Sequence, residues 1–377
     1  MIHPTRFLFQ SGIVYASLLA GCAHVTEAPS TDPAFSDVGP RMEASLKRHR
    51  AAAVGIAVIR DGRITWTGTF GEQSPGVPAT AATMFNVASL AKPITAEVTM
   101  RLVSAGVISL DQPMSAHWID PDIANDPRQK LLTPRIALSH QTGFPNWRFQ
   151  NKDKKLAFTA EPRSGFNYSG EGYEYLRRYL EKKTGKGFES LVEETVFAPA
   201  GMKNAAFSER SWMKGRTAMP MDRDGAFKPA DLAREGKPNA ADNLFVTTGD
   251  YATFIISVIN QEGLTSAIAA ERLRRQVDIP APAACKPNIE QVTIAGCPDV
   301  TEFGLGWITY RFGDRAILSN TGNDWGEFAI VYIEPATRNG LVIFVNGGNG
   351  VPVAMDAMAM VDPLSLVAAF GRAQRGK

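Results

Sequence analysis

The chain has 377 residues, enough to bury a large core as one composite domain or two intimately joined ones. Its composition, 44% hydrophobic and 21% charged, is that of an ordinary globular protein. Lys and Arg total 40 against 38 Asp and Glu, a formal charge of +2, which removes any electrostatic basis for a nucleic-acid partner.

Residues 1–21 have the layout of a secretory signal: Arg6 gives a positive start, Phe7 to Ala20 an apolar stretch too short for a confident membrane span, and small residues close it. The end of this stretch, Leu19-Ala20-Gly21-Cys22, resembles the bacterial lipobox. That resemblance implies lipidation of Cys22, attachment to a membrane through the lipid and, with Ala23 following, the periplasmic side of a Gram-negative outer membrane. The alternative is ordinary cleavage nearby with loss of Cys22. Residues 22–40 are rich in Pro, Ser, Thr and Asp without apolar periodicity and read as a tether.

Ala51 to Ile59 and Ile64 to Gly71 flank Asp61-Gly62 and predict an antiparallel hairpin. A loop then leads to Phe85-Asn86-Val87-Ala88-Ser89-Leu90-Ala91-Lys92-Pro93. Leu90, Ile94, Val98 and Leu102 follow at the spacing of one buried helix face ending at Gly106, so Ser89 is expected at the start of a buried helix. Pro93 is compatible with this only if Ser89 lies in or just before the first turn. Three residues separate Ser89 from Lys92, placing hydroxyl and amine on neighbouring positions of one face. A serine hydroxyl needs a base to become a nucleophile, and an amine in that position can serve. Free N–H groups at the helix start can hold an oxyanion. A second copy of the pattern, Ser211-Trp212-Met213-Lys214, lacks a following apolar helix.

The chain is next loop-rich to Pro127, and Pro134 to Pro145 forms a short helical piece. There His140 is a candidate catalytic residue, but among turn residues and without an acidic partner it is expected instead to satisfy nearby backbone groups. Tyr168 precedes a helix running through Leu176 and Leu180 to Gly185, and another covers Phe188 to Val196 before Pro199 and Gly201. Ser208 to Asn243 is polar and rich in Gly and Pro, an excursion suited to lining an opening. Helices follow from Thr247 or Thr248 to about Gly263 and from Ser266 to Val277. Cys285 and Cys297 lie in the Pro-rich stretch after them, either closing a short loop in an oxidising compartment or remaining two free thiols. His3, His24, His49, His117 and His140 lack ligand spacing and the cysteines stand alone, so no metal or other cofactor is expected unless distant residues assemble a site.

Strands are expected over Gly304 to Tyr310, Ala316 to Asn320, Glu327 to Ile333 and Leu341 to Val345, with Asn339-Gly340 as a tight turn and a closing helix from about Val353 to Gly371. Strands at both ends and helices between them predict an α/β (α+β) fold. One sheet, built from about 41–110 and 300–373, carries an inserted helical part, about 111–299.

Three stretches then align in order with the serine β-lactamase and penicillin-binding-protein superfamily, closest to class C enzymes and their esterase relatives. They are Ser89-Leu90-Ala91-Lys92, Tyr168-Ser169-Gly170 and Asn320-Thr321-Gly322, supported by Leu138 to Gly143 and Phe303 to Trp307. The resemblance implies an antiparallel sheet flanked by helices and an acyl-enzyme on Ser89, with Lys92 and Tyr168 moving the proton. It assigns the oxyanion hole to the backbone N–H groups of Ser89 and Asn323, and substrate contacts to Gly170, Asn320, Thr321 and Gly322. Two positions depart from the family pattern. Gly170 stands where class C enzymes usually carry an asparagine, and Asn320 replaces the lysine that commonly receives the β-lactam carboxylate.

Three functions follow from the resemblance: a class C-like β-lactamase of atypical specificity first, a carboxylesterase or D-peptidase second, and a non-hydrolytic penicillin-binding or wall-interacting lipoprotein third. In each case the expected partner is a small molecule and the expected state a monomer.

Overall fold

The computed structural model describes residues 35–229, 237–280, 285 and 296–375. The signal-like segment, Cys22 and most of the tether lie outside the described residues. In chain order the elements begin with helix α1 (Val38–His49) and strands β1 (Ala53–Arg60), β2 (Arg63–Ser74), β3 (Val77–Pro78) and β4 (Phe85–Asn86). Helices α2 (Ala91–Ser104), α3 (Pro134–Leu138), α4 (Gly170–Thr184), α5 (Phe188–Val192) and α6 (Ala198–Ala200) follow. Next come β5 (Ala205–Ala206), β6 (Phe245–Val246), α7 (Thr248–Ile259), α8 (Ser266–Leu273) and β7 (Val277–Asp278). The chain closes with β8 (Val300–Phe303), β9 (Ile308–Phe312), β10 (Arg315–Asn323), β11 (Glu327–Glu334), β12 (Asn339–Asn346), α9 (Gly350–Val361) and α10 (Leu366–Arg375).

Nine of these strands form one antiparallel sheet in the order β3-β2-β1-β12-β11-β10-β9-β8-β7, so the two ends of the chain meet where β1 pairs with β12. The alternation of side chains along each strand splits the core in two. Val54, Ile56 and Val58 join Ile343, Val345 and the apolar stripes of α1 and α9 on one face. Ala53, Ala57, Val342 and Phe344 join α2, α4 and α7 on the other. A buried ion pair, Arg272 Nη1 to Glu97 Oε1 at 2.9 Å, ties α8 to α2 within this second layer.

Several predicted boundaries shift for identifiable reasons. Helix α1 begins inside the expected tether because Val38, Met42 and Leu46 form a buried stripe. Gly304 to Trp307 is a turn between β8 and β9 rather than part of a strand, since Gly306 has a φ of 84°. The hairpin turn after β11 is Pro335 to Arg338, with Arg338 at φ 58°, and Asn339 already pairs with Glu334. Pro363 cannot continue a helix, so the closing helix breaks into α9 and α10. The helix from Phe188 runs past its expected end by way of a π turn, Glu193–Phe197, whose Thr195 carbonyl accepts from Arg101 Nη1 at 2.6 Å. Cys285 and Cys297 are bonded, with Cα atoms 5.6 Å apart.

Candidate active site

The turn that carries Ser89 is a single 3-10 turn, Ala88–Leu90, leading directly into α2. Ala88 sits at φ 46°, a left-handed conformation that costs an alanine free energy and persists only where the surroundings impose it. Here they do. Asn86 Oδ1 accepts from the Ala88 N–H at 3.0 Å, and Asn86 Nδ2 donates to Glu327 Oε1 at 3.0 Å. Val87 N–H donates to the Leu244 carbonyl, and Tyr251 Oη donates to the Leu90 carbonyl at 2.9 Å.

Lys92, only 1% exposed, donates from Nζ to Ser89 Oγ at 2.9 Å and to the Ala241 carbonyl at 2.8 Å. The same Nζ lies 4.8 Å from the centre of the Tyr168 ring. Serine and lysine from one turn-and-helix segment and tyrosine from the loop before α4 therefore converge. The second Ser-x-x-Lys, Ser211 to Lys214, forms a surface turn and is not among the residues that line this cleft. His140, at φ 57°, supports the tyrosine from behind: its ring packs against that of Tyr168 with centres 4.4 Å apart and planes tilted by 31°, and its Nδ1 accepts from the Ser169 N–H at 3.0 Å. Burial and then the nearby Lys92 charge push the His140 pKa well below the usual histidine range, so the ring is neutral.

Strand β10 closes the other side. Gly322 is the residue that permits its approach, since a Cβ there would come within 2.0 Å of the Val87 carbonyl oxygen and 3.1 Å of the Ser89 nitrogen. Asp324 N–H donates to the Glu327 carbonyl, which fixes the alternation of hydrogen bonds along β10. The N–H groups of Thr321 and Asn323 consequently point away from β11. Pairing with β9 ends at Ser319 and Ile308, so the Asn323 N–H lies on the unpaired edge of β10, next to Gly322, where a Cβ would stand 3.1 Å from the Ser89 nitrogen. Two backbone donors converging on one carbonyl oxygen are what an oxyanion requires.

The two departures from the family pattern have structural counterparts. A Cβ at Gly170 would lie 2.6 Å from the Trp147 ring, so an indole occupies the space beside this position. The loop bearing Trp147 is fastened to α4, because Asn146 Oδ1 accepts from the Gly170 N–H at 2.9 Å and Arg148 N–H donates to Glu171 at 2.9 Å. A backbone N–H can only donate, so Oδ1 must face it and the Asn146 Nδ2 is left for the cleft. Asn320, in turn, lines the cleft but is tied to its neighbours. Its Nδ2 donates to the Gly306 carbonyl at 3.0 Å, and its Oδ1 accepts from the Thr321 N–H at 2.9 Å.

The resulting cleft, about 420 Å³, is lined by Ser89, Tyr168, Asn146, aromatic rings of Trp147, Phe166 and Phe303, and the carboxyl groups of Asp242 and Asp324. None of its described lining residues is a lysine or arginine, and Lys92 lies beneath Ser89. Buried just behind, Glu327 is pushed up to about 7, first by desolvation, against the Asn86 hydrogen bond and with Asp324 and Asp242 adding to the rise. Burial also raises Asp242, which feels Lys92 in the opposite sense. Sequence reasoning did not single out Asn146, Trp147, Asp242, Asp324 or Glu327. They sit in turns or on a regular strand, where nothing local separates a cleft residue from a solvated one.

A family model described as Beta-lactamase matches residues 38–364. The D-alanyl-D-alanine-carboxypeptidase/endopeptidase AmpH of Escherichia coli (strain K12) is 24% identical over 397 residues, covering 96% of this chain and 99% of that protein. Esterase EstB of Burkholderia gladioli is 28% identical over 220 residues, 48% of this chain and 55% of EstB. A solved structure described as a class C beta-lactamase superposes with a TM-score of 0.71 at 16% identity, covering 90% of this chain and 99% of that one.

Proposed function

The chain belongs to the beta-lactamase family, and from that premise we propose that this serine hydrolase acts on uncharged carboxylic esters in preference to β-lactams. The observation that carries the reading is Asn320: it is a neutral amide already tied to Gly306 and Thr321, and none of the described residues lining the cleft is a lysine or arginine. Penicillins, cephalosporins and C-terminal D-alanyl peptides all carry a free carboxylate. Such a group would meet Asp242 and Asp324 rather than a charge-assisted donor. An ester asks nothing of that position, and similarity to an esterase over part of the chain supports the same choice.

In this reading Ser89 Oγ attacks the ester carbonyl while its proton passes to the Lys92–Tyr168 pair. The N–H groups of Ser89 and Asn323 hold the oxyanion. Collapse of the tetrahedral intermediate breaks the bond to the alkoxy oxygen, which leaves as the alcohol with the proton returned from that pair. Water then attacks the acyl-enzyme by the same route and releases the acid. We propose further that the protein works outside the cytoplasm on a lipid anchor at Cys22. The apolar stretch ending at Leu19 to Cys22 and the bonded cysteines, which persist in oxidising compartments, support this.

The test compares p-nitrophenyl butyrate with a chromogenic cephalosporin. A lost charge-assisted hydrogen bond of about 1.5–3 kcal/mol corresponds to about 10–150-fold in kcat/KM, the margin by which the ester is expected to lead. Ser89→Ala should abolish both activities. A cephalosporin turned over faster than the ester would overturn the ester reading.

A further inference from the structure

A second cavity, about 500 Å³, lies on the opposite face of the sheet between β9 to β11 and the helices α9 and α10. Its walls are mainly apolar, with Phe328, Ile330, Val351, Met355 and Phe370 prominent, and none of its described lining residues carries a charge. The break at Pro363 folds α10 back over the sheet. Gly371 keeps the space open, since a Cβ there would lie 2.8 Å from Met355 Sδ. The hydroxyl of Ser319 is already used, donating to the Val331 carbonyl at 2.9 Å. The remaining hydroxyls of its described lining are those of Tyr310 and Thr321.

Its position relative to Ser89 gives it meaning. Thr321 lines both this cavity and the catalytic cleft. Beyond Ser319 the edge of β10 has no partner from β9, so no strand separates the two spaces at that point. A chain attached to a carbonyl at Ser89 can cross the open edge at Thr321 and enter the apolar space behind it. We propose that this cavity receives the linear hydrocarbon chain of the acyl group, making medium- to long-chain acyl esters the substrate class. The inference rests on the ester reading of the catalytic cleft. An apolar chain is the one occupant that matches an uncharged lining continuous with the nucleophile.

Chain-length kinetics test it. Each methylene buried is worth up to about fourfold in transition-state binding, so kcat/KM for p-nitrophenyl esters is expected to rise at least about tenfold from acetyl to decanoyl. Val351→Trp, at a position 49% exposed, and Met355→Trp should fill the cavity and remove that rise while leaving acetyl turnover within about twofold. A binding measurement keeps the outcome independent of catalysis. The neutral methyl ester of pyrenedecanoic acid should bind Ser89→Ala saturably, and more weakly once either tryptophan is added. Absence of ester turnover with plug-sensitive binding would defeat the ester reading and leave the cavity assignment standing. A decanoyl preference or probe affinity unchanged by both plugs would overturn the cavity assignment alone.

Discussion

At the scale of single residues, Glu327 is the side chain with the sharpest consequence. Its folded pKa of about 7 lies above the 4.5 of an ordinary glutamate. Between these values the native state holds a proton that the unfolded state has lost, so the Glu327 contribution to stability falls as pH rises from about 4.5 to about 7 and then levels off. A shift of this size corresponds to about 3 kcal/mol. His140 acts with the opposite sign. Its folded pKa lies well below 6.5, so the unfolded state binds the extra proton in that interval and stability rises with pH up to about 6.5. Between about pH 4.5 and 6.5 the two contributions oppose each other in the wild type, so Glu327→Gln should expose the His140 rise, leaving denaturant stability that climbs to about pH 6.5 and then holds. Urea midpoints from pH 4.5 to 8 measure this. A variant whose pH profile keeps the wild-type shape would show that Glu327 is not the group responsible. Because Glu327 reaches the Ala88 turn through Asn86, its glutamine variant also tests how firmly the nucleophile is held.

Among the elements, α2 is the one the site is built on, and its anchors are polar as well as apolar. Arg272 bridges Glu97 on α2 and the Val258 carbonyl on α7, with both charged side chains under 5% exposed. Removing one partner leaves the other charge buried without compensation. Arg272→Ala is expected to cost about 3–5 kcal/mol, whereas the apolar pair Glu97→Leu with Arg272→Met should recover most of that loss. Equal destabilisation by single and double variants, read from chemical denaturation, would mean that packing volume and not the charge is what matters there. Helix α2 was also the most legible part of the sequence. Its apolar spacing and Pro93 located Ser89 at the start of a buried helix, and the structure puts it one short turn before it. The short, glycine-marked connections were less legible. Gly304 to Trp307 reads as strand on apolar content alone, yet Gly306 turns the chain and its N–H donates to the Leu138 carbonyl, a contact distant in sequence. Likewise Asn339-Gly340 has the composition of a tight turn, but Pro335 and the left-handed Arg338 take the turn and leave those two residues to pair in the ladder.

For the molecule as a whole, the sheet explains why residues so far apart in sequence meet. Pairing of β1 with β12 brings both ends of the chain into one layer, and β10, with its free edge beyond Ser319, delivers Asn323 to Ser89. That layout was readable from strands at both ends and helices between. The charge of the cleft was not, because Asp242 and Asp324 come from two loops whose proximity is set only by tertiary packing. The account's central claim is that this serine site selects against negative charge. The most direct measurement uses a matched pair, the p-nitrophenyl ester of monomethyl succinate and that of succinate with its free carboxylate, in wild type and in Asp324→Asn. Two like charges about 4 Å apart in water repel by about 1 kcal/mol, and more in a partly enclosed cleft, so the neutral ester should be preferred by at least about fivefold. The preference should shrink in Asp324→Asn and at high ionic strength. Faster hydrolysis of the carboxylate-bearing ester by the wild type would contradict the claim.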